Sequence, residues 1–519
     1  MFARRARVAL FCLVGTACAA GPDYKRPAVV TPDKWRDSGA ADASIANVPW
    51  WELFQDAQLR TLIKVALAEN RDLKIAVERI EEARAAYGIA KADFYPHVNA
   101  ELKAGGLNPS DASLTHTPEG DGGAKAIYSA SLGFSWELDF FGRIRRASEA
   151  QKAALLATEE ARRAVALSLV SDVALAYLEL RGLDRRLDIS RTTLKARKEH
   201  VDYSRTRYEG SVANEVDWRQ AQAEQHRIEA VVYDYEKLVA QRENELSFLL
   251  GRNPAAITRD RAAQDQPVPP EVPAGLPAQL LERRPDVRRA EMDLWSATAR
   301  IGEAKAMLYP RIALTGSYGL ASTDLGNFVD PSSQSWNVFA SLLQPIFEGG
   351  KNTARVEMRE SQQRQAVYAY ERTLLQALRE VEDALTGLHS AGQQRLAQGA
   401  RVGAERKVLE LAELRYRGGV SDYLPVLDAQ RSLFTAEIDE ATTATEHTKS
   451  LIRLYKALGG GWPAPKGAGS QPPKNAPAAA ASAAAGAQTT APAPSAAPPA
   501  PAAPAPAAPP ATPTARPPG

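Results

Sequence analysis

Cysteine is nearly missing from this chain of 519 residues: there are two, Cys12 and Cys18, both close to the N-terminus. A mature chain that starts at a modified Cys18 keeps no free thiol, which excludes disulfides, catalytic cysteines and cysteine-held metals. The six histidines, His97, His116, His200, His226, His389 and His447, show no paired spacing such as HExxH, so no metal site is indicated. There is no GxxxxGK phosphate loop. Sixty-four basic residues against 62 acidic leave a net charge of +2 without a concentrated basic face, which argues against nucleic acid as a partner. Acidic pairs such as Glu159-Glu160 and Glu382-Asp383 fall in arginine-rich helical stretches, where solvated faces or salt bridges are the plain reading. An enzyme finds no residue to rest on, and no cofactor is expected.

What is there begins at the ends. Arg4, Arg5 and Arg7, an apolar run from Val8 to Val14 and small residues at 15–17 read as an export signal over residues 1–17, too short to span a bilayer comfortably. Cys18 follows directly, which suggests lipidation of that residue. Such sites usually carry Leu where Gly15 stands here, so cleavage near Ala20 is the alternative. Residues 18–48 then form an extended N-terminal segment. After Trp462 the chain turns to alanine and 17 of its 35 prolines, a composition that buries no core, so 463–519 is expected to be a disordered tail.

Between the ends the chain is written twice. Tyr95-Pro96 returns as Tyr309-Pro310, 214 residues on, and Arg207, Tyr208, Gly210 and Val212 return as Arg415, Tyr416, Gly418 and Val420, 208 residues on. The first copy spans 49–252 and the second 278–462, joined by a proline-rich linker over 253–277. Each opens with amphipathic helices that end before Tyr-Pro. There the period changes from helical to alternating: Val98, Ala100, Leu102 and Ala104 share one face, as do Tyr128 to Leu138, Ile312 to Leu320 and Trp336 to Leu342. Each copy therefore gives one β-hairpin, at 98–138 and 311–345. Strands of roughly ten residues with an apolar and a polar face are the pattern of a transmembrane barrel. Four strands cannot close, and open edges are forbidden in lipid, so several chains must share one barrel.

Each hairpin feeds a proline-free helix, Arg143 to Tyr208 and Lys351 to Tyr416, roughly 100 Å long at about 1.5 Å per residue. Ala166, Leu169, Val173, Ala176 and Leu180 mark a coiled-coil seam, as do Leu374, Ala377, Val381, Ala384 and Leu388. A return helix runs back from each tip. In LRYRGGVSDYLPVLDAQRSL, the first helix stops at Gly418 and Gly419, which suit a left-handed cap, and the next starts behind Ser421 or Asp422. Leu280, Leu281 and the helices near Trp50 are expected to form a small mixed equatorial layer.

GPDYKRP at 21–27, PWWELFQD, WELDFFGRIRRA, ERRPDVRRAE, QPIFEGGKN and RYRGGVSDYLPVLDAQRSL together resemble the outer-membrane efflux factors, the TolC-like channels, in particular their NodT-type lipoprotein branch. The resemblance implies an α+β membrane protein in which a homotrimer builds a twelve-stranded barrel in outer-membrane lipid, continuous with a twelve-helix periplasmic tunnel. It implies an exit duct for drugs or other small toxic compounds, bearing on antibiotic resistance. The partners it implies are a periplasmic adaptor (a membrane fusion protein) and an inner-membrane RND pump. Leu424 and Asp428, one turn apart, would give a leucine ring and an aspartate ring at the periplasmic gate, with Arg431 beside them. Gly210, Ser211, Val212, Gly418, Gly419 and Val420 are the expected adaptor-docking tips. Val216 and Gln220 stand at the cognate positions of the first copy, so the tips are unequal. A type I protein-secretion duct and a non-conducting coiled-coil spacer are the alternatives.

Overall fold

In the computed structural model, the described residues are 19–29, 32, 35, 56–107, 125–259 and 283–460. The export signal, Cys18, Trp50 and Trp51, linker residues 260–277, Leu280, Leu281 and the tail 463–519 lie outside them. Helices α1 (Ala57–Glu69) and α2 (Arg71–Ala92) lead into strands β1 (His97–Leu107) and β2 (Lys125–Leu138). Then come α3 (Arg143–Glu209) and α4 (Glu215–Leu249). The second copy gives α5 (Pro285–Ala306), β3 (Arg311–Ser322), β4 (Gln334–Leu343), α6 (Lys351–Arg417) and α7 (Leu424–Ala457).

The paired helices of the two copies match in length. Helices α2 and α5 each have 22 residues, and α3 and α6 each have 67. A left-handed glycine precedes each long helix, Gly142 and Gly350 (φ 81° for both), because the chain must turn sharply from sheet to helix there. Leucine, alanine and valine seams hold the long helices together: Leu169, Val173, Leu180, Leu374, Ala377 and Val381 are all buried. Small seam residues let the helix axes approach closely. Leu385 is buried beside a half-buried Ala384 and Leu388, so the second seam drifts by one position from a strict repeat.

The strands form one antiparallel sheet in the order β1-β2-β3-β4. Its register gathers every apolar alternation onto one face: Leu102 stands opposite Ala130, Ala130 opposite Leu320, Leu132 opposite Tyr318, and Tyr318 opposite Trp336. Serines and charged residues gather on the other, with Glu101 opposite Ser131 and Ser317 opposite Asn337. β1 and β4 each pair along one edge, and every residue of β4 is exposed. This apolar face covers no core, since Leu102, Leu132, Trp336 and Leu342 are more than half exposed.

The N-terminal segment runs as a strap from the sheet–helix junction along α5. Ala20 donates its amide to the Phe141 carbonyl (3.0 Å), and Ala19 abuts Gly142 so closely that a Cβ there would lie 2.9 Å from it. Lower down, the Arg26 guanidinium donates twice to the Glu291 carboxylate (2.7 and 2.6 Å), and Tyr24 stacks on Trp295.

Each tip closes with the same motif. Val212 donates its amide to the Arg207 carbonyl and Val420 to that of Arg415, bridging a left-handed residue at Ser211 (φ 57°) and at Gly419 (φ 69°). Gly418 itself has φ −76°, an ordinary conformation, so Gly419 alone takes the left-handed place. Behind it α7 starts at Tyr423 with no side-chain cap, in place of Ser421 or Asp422, because the buried Tyr423 ring fixes the entry and Pro425 removes one amide that needs capping. The first tip does have a cap, Asn214, whose side chain accepts from the Val216 amide. Ser211 carries strain that Gly419 avoids. Ser211→Gly is expected to slow hydrogen exchange at the Val212 amide, and Gly419→Ala to speed exchange at Val420 roughly fivefold, about 1 kcal/mol; equal rates in both variants would contradict this.

Candidate functional site: the helix tips

The tips are held together by aromatic packing between the two hairpins. Tyr416, Tyr423, Val426 and Leu427 from the second hairpin pack with Val201 and Ala221 from the first, and Trp218 closes the cluster. Tyr423, Val426 and Leu427 are at most 3% exposed, and each contributes about 2 kcal/mol by its burial. Arg207 lies over the Tyr416 ring at 4.9 Å, and Tyr208 stacks on Trp218. Burial pushes the Tyr423 hydroxyl up to about 12, against the pull of Arg197. The hydroxyls of Tyr416 and Tyr423 and Nε of Arg197 have no hydrogen-bond partner in this core.

An ion cluster reinforces it. The Glu224 carboxylate on α4 is fully buried. It accepts from Nη2 and Nε of Arg227 (2.6 and 3.0 Å) and from Nε of Arg431 (2.9 Å). Burial by itself would raise Glu224, but these donors hold it below the usual carboxylate range. Its contribution is therefore present above that range and fades as pH falls through it. Arg431 thus ties α7 to α4, one hairpin to the other. By the repeat offset Arg431 corresponds to Ala223 and Glu224 to Ser432, so the clamp has no echo in the other copy.

The expected gate residues sit together on the outer side of this core. Leu424 is 54% exposed and Asp428, one turn on, is exposed on the same face. Arg431 is turned away toward Glu224, which leaves Asp428 without an ion pair among the described residues. Gly210, Ser211, Gly418 and Gly419 are exposed at the ends of the hairpins, with Val212 and Val420 68% and 71% exposed beside them. Sequence reasoning missed Glu224, Arg227, Arg197, His200 and Tyr423. Glu224, Arg197, His200 and Tyr423 pair across more than 200 residues, and Arg227 lies over the Phe434 ring of α7; the one available hint was their failure to repeat. Glu160, noted in sequence as half of an acidic pair, is buried and bridged by Arg163 and Arg288, joining α3 to α5. Among the described residues no group of three or more His, Cys, Asp or Glu gathers to hold a metal ion, and no helix is long and apolar enough to cross a membrane.

Residues 62–252 and 276–460 match the family of outer membrane efflux proteins. The chain is 37% identical over 463 residues to the outer membrane protein OprJ of Pseudomonas aeruginosa, covering 87% of this chain and 95% of that one. It is 36% identical over 459 residues to the cation efflux system protein CusC of Escherichia coli O6:H1, covering 87% and 98%. Among solved structures, a membrane protein from Pseudomonas aeruginosa superposes with a TM-score of 0.80 at 36% identity, over 86% of this chain and 98% of that one. Replacing both Leu424 and Asp428 by alanine is expected to raise the conductance of the purified protein in planar bilayers; unchanged conductance would remove this pair from the constriction.

Proposed function

The chain belongs to the outer membrane efflux protein family and is an outer-membrane efflux channel, and from that premise we propose how it assembles, where it is gated and what it meets. It works as the exit duct of a tripartite pump for drugs or other small toxic compounds, with a periplasmic adaptor and an inner-membrane RND pump as partners. The cation efflux function named for the relative CusC fits a duct whose cargo is chosen upstream. Energy enters at the pump, so the channel's own tasks are to span the envelope, stay closed at rest and open on contact. No catalytic group or cofactor is needed for these.

The observation that carries the reading is an imbalance of burial between two copies whose paired helices match in length. Eleven residues of α5 are buried, and two of α2. On α3, Ala150, Glu160 and Leu167 are covered, whereas their counterparts on α6, Met358, Tyr368 and Leu375, are exposed. Gly302 of α5 lies against Arg146 of α3, where a Cβ would come within 2.8 Å, while its counterpart Gly88 faces open space. Helix α2 of one chain thus fits α6 of the next as α5 fits α3, and β1 of one chain extends β4 of the next. Head-to-tail joining closes a ring where the rotation between copies returns to its start, and the open strand edges in lipid demand that closure. Three copies give twelve strands, within the range of closed barrels.

In that ring Leu424 and Asp428 form the periplasmic constriction, and the Glu224–Arg431 clamp keeps the hairpins together at rest. The first structural repeat (49–252), the linker (253–277) and the second repeat (278–462) serve as the working division of the chain. The exposed glycine turns with Val212 and Val420 form the adaptor-docking end. In a strain deleted for the gene, wild type is expected to restore export while Gly418→Trp is assembled but inactive. Export by Gly418→Trp would place docking elsewhere, and no loss of export on deletion would remove the efflux role. A type I secretion duct differs in the pump encoded beside it.

Cys18 is proposed to carry lipid. In support, the strap brings Ala19 and Ala20 to Phe141 and Gly142, where the sheet meets the helices. Lipidation adds about 0.8 kcal/mol per buried methylene and holds the chain at that level before a barrel has formed. The intact mass of the processed chain is expected to show acylated Cys18; a chain starting near Ala20 would contradict it.

A further inference from the structure

The ring of His200 lies where the two hairpins meet. It is carried by α3 and stacks on Tyr423, the residue that leads into α7, with centroids 4.8 Å and planes 18° apart. Its Nε2 is shut off from solvent and has no hydrogen-bond partner. This is the tightest ring contact between the first hairpin and the turn that carries the gate residues.

Every element around it contributes charge or a titratable group. On α3 these are Arg197 and Tyr203, the latter ring tilted at 6.0 Å. On α6 they are Glu413, Tyr416 and Arg417, on the α7 side Tyr423 and Arg431, and on α4 Glu224 and Arg227. Burial first, and then repulsion from the Arg197 and Arg417 guanidinium groups, hold His200 down to about 4 from its ordinary 6.5. The carboxylates that act on Arg197 are already engaged, Glu413 with Arg417 and Glu224 with Arg227 and Arg431. The Tyr423 face would attract an imidazolium. That attraction falls short of the loss of water plus two cations nearby. Moving Tyr423 off α3 exposes the ring and restores its hydration.

We propose that His200 is an acid sensor of the gate: a proton on its ring, which the closed tip cannot solvate, drives Tyr423 and the second hairpin off α3 and biases the channel open. The proposal rests on the tip being the gate. The sign follows from linkage. A neutral His200 stabilises the closed tip fully above pH 6.5, its value when hydrated, and that contribution is lost as pH falls toward about 4. The gap between the two values limits the change in the open-to-closed ratio to roughly 300-fold.

The test is the open probability of the full-length channel in planar bilayers, with the tip side titrated from about pH 7.5 to about pH 4.5. Wild type is expected to open as the tip side is acidified. His200→Gln, with no site for the proton, is expected to stay at its neutral-pH level, and His200→Lys to be open already at neutral pH. A flat wild-type profile overturns the proposal. So does an unchanged response in His200→Gln, which would assign the titration to another group. The Leu424→Ala/Asp428→Ala channel measured alongside separates the two ideas. If it conducts no better than wild type, the gate reading falls and the sensor with it. If it conducts more while His200→Gln keeps its pH response, the sensor alone falls.

Discussion

A backbone amide without a partner cannot be left in lipid, and this sets the terms for the rest of the molecule. Among the described residues the chain makes four strands whose apolar face covers no core and whose outer edges, β1 and β4, are unpaired. Such a sheet is unstable in the membrane by itself, since each lost hydrogen bond in hydrocarbon costs several kcal/mol. In the proposed trimer, other copies satisfy these edges. The same demand appears below the membrane, where α2 and α6 present the faces that α5 and α3 bury within the chain. One duplicated unit thus supplies both its own internal contact and the template for the contact with the next chain.

Duplication also creates the place where the copies must differ. Two identical tips would open and close together with no preferred moving part. Here the first tip carries a strained Ser211, a capped helix start and the buried Glu224, and the second carries Gly419, an uncapped start and Leu424 with Asp428. In the proposed gate the first hairpin is the fixed seat. The second rests on it through Tyr423, His200 and Arg431. His200 Nε2 and the Tyr423 hydroxyl are both buried there without partners, which makes that contact a costly packing and the proposed point of release.

Much of this was legible in the sequence, because the signals were local and repeated. The change of period after Tyr95-Pro96 and Tyr309-Pro310 placed all four strands, and the absence of proline from Arg143 to Tyr208 fixed the long helices. The repeat offset placed both tips. Leu424 and Asp428 were found through family likeness, and their shared exposed face is consistent with helical spacing. What could not be read was long-range and unrepeated. The partner of Arg431 is Glu224 on another helix, not Asp428 three residues away, and no periodicity announces that choice. The N-cap at Tyr423 escaped for a related reason: a buried aromatic ring overrode the local preference for Ser421 or Asp422.

The central claim is that copies join head to tail, with α2 of one against α6 of the next, and close after three. Cysteines at Gly88 and Ala354 test it most directly, since in the proposed ring these positions face each other only between chains. Oxidising the full-length double variant in membranes and reading chain number on a denaturing gel should give bands of one, two and three linked copies and no higher. Absence of linkage, a ladder that ends at two, or one that runs past three would contradict the account.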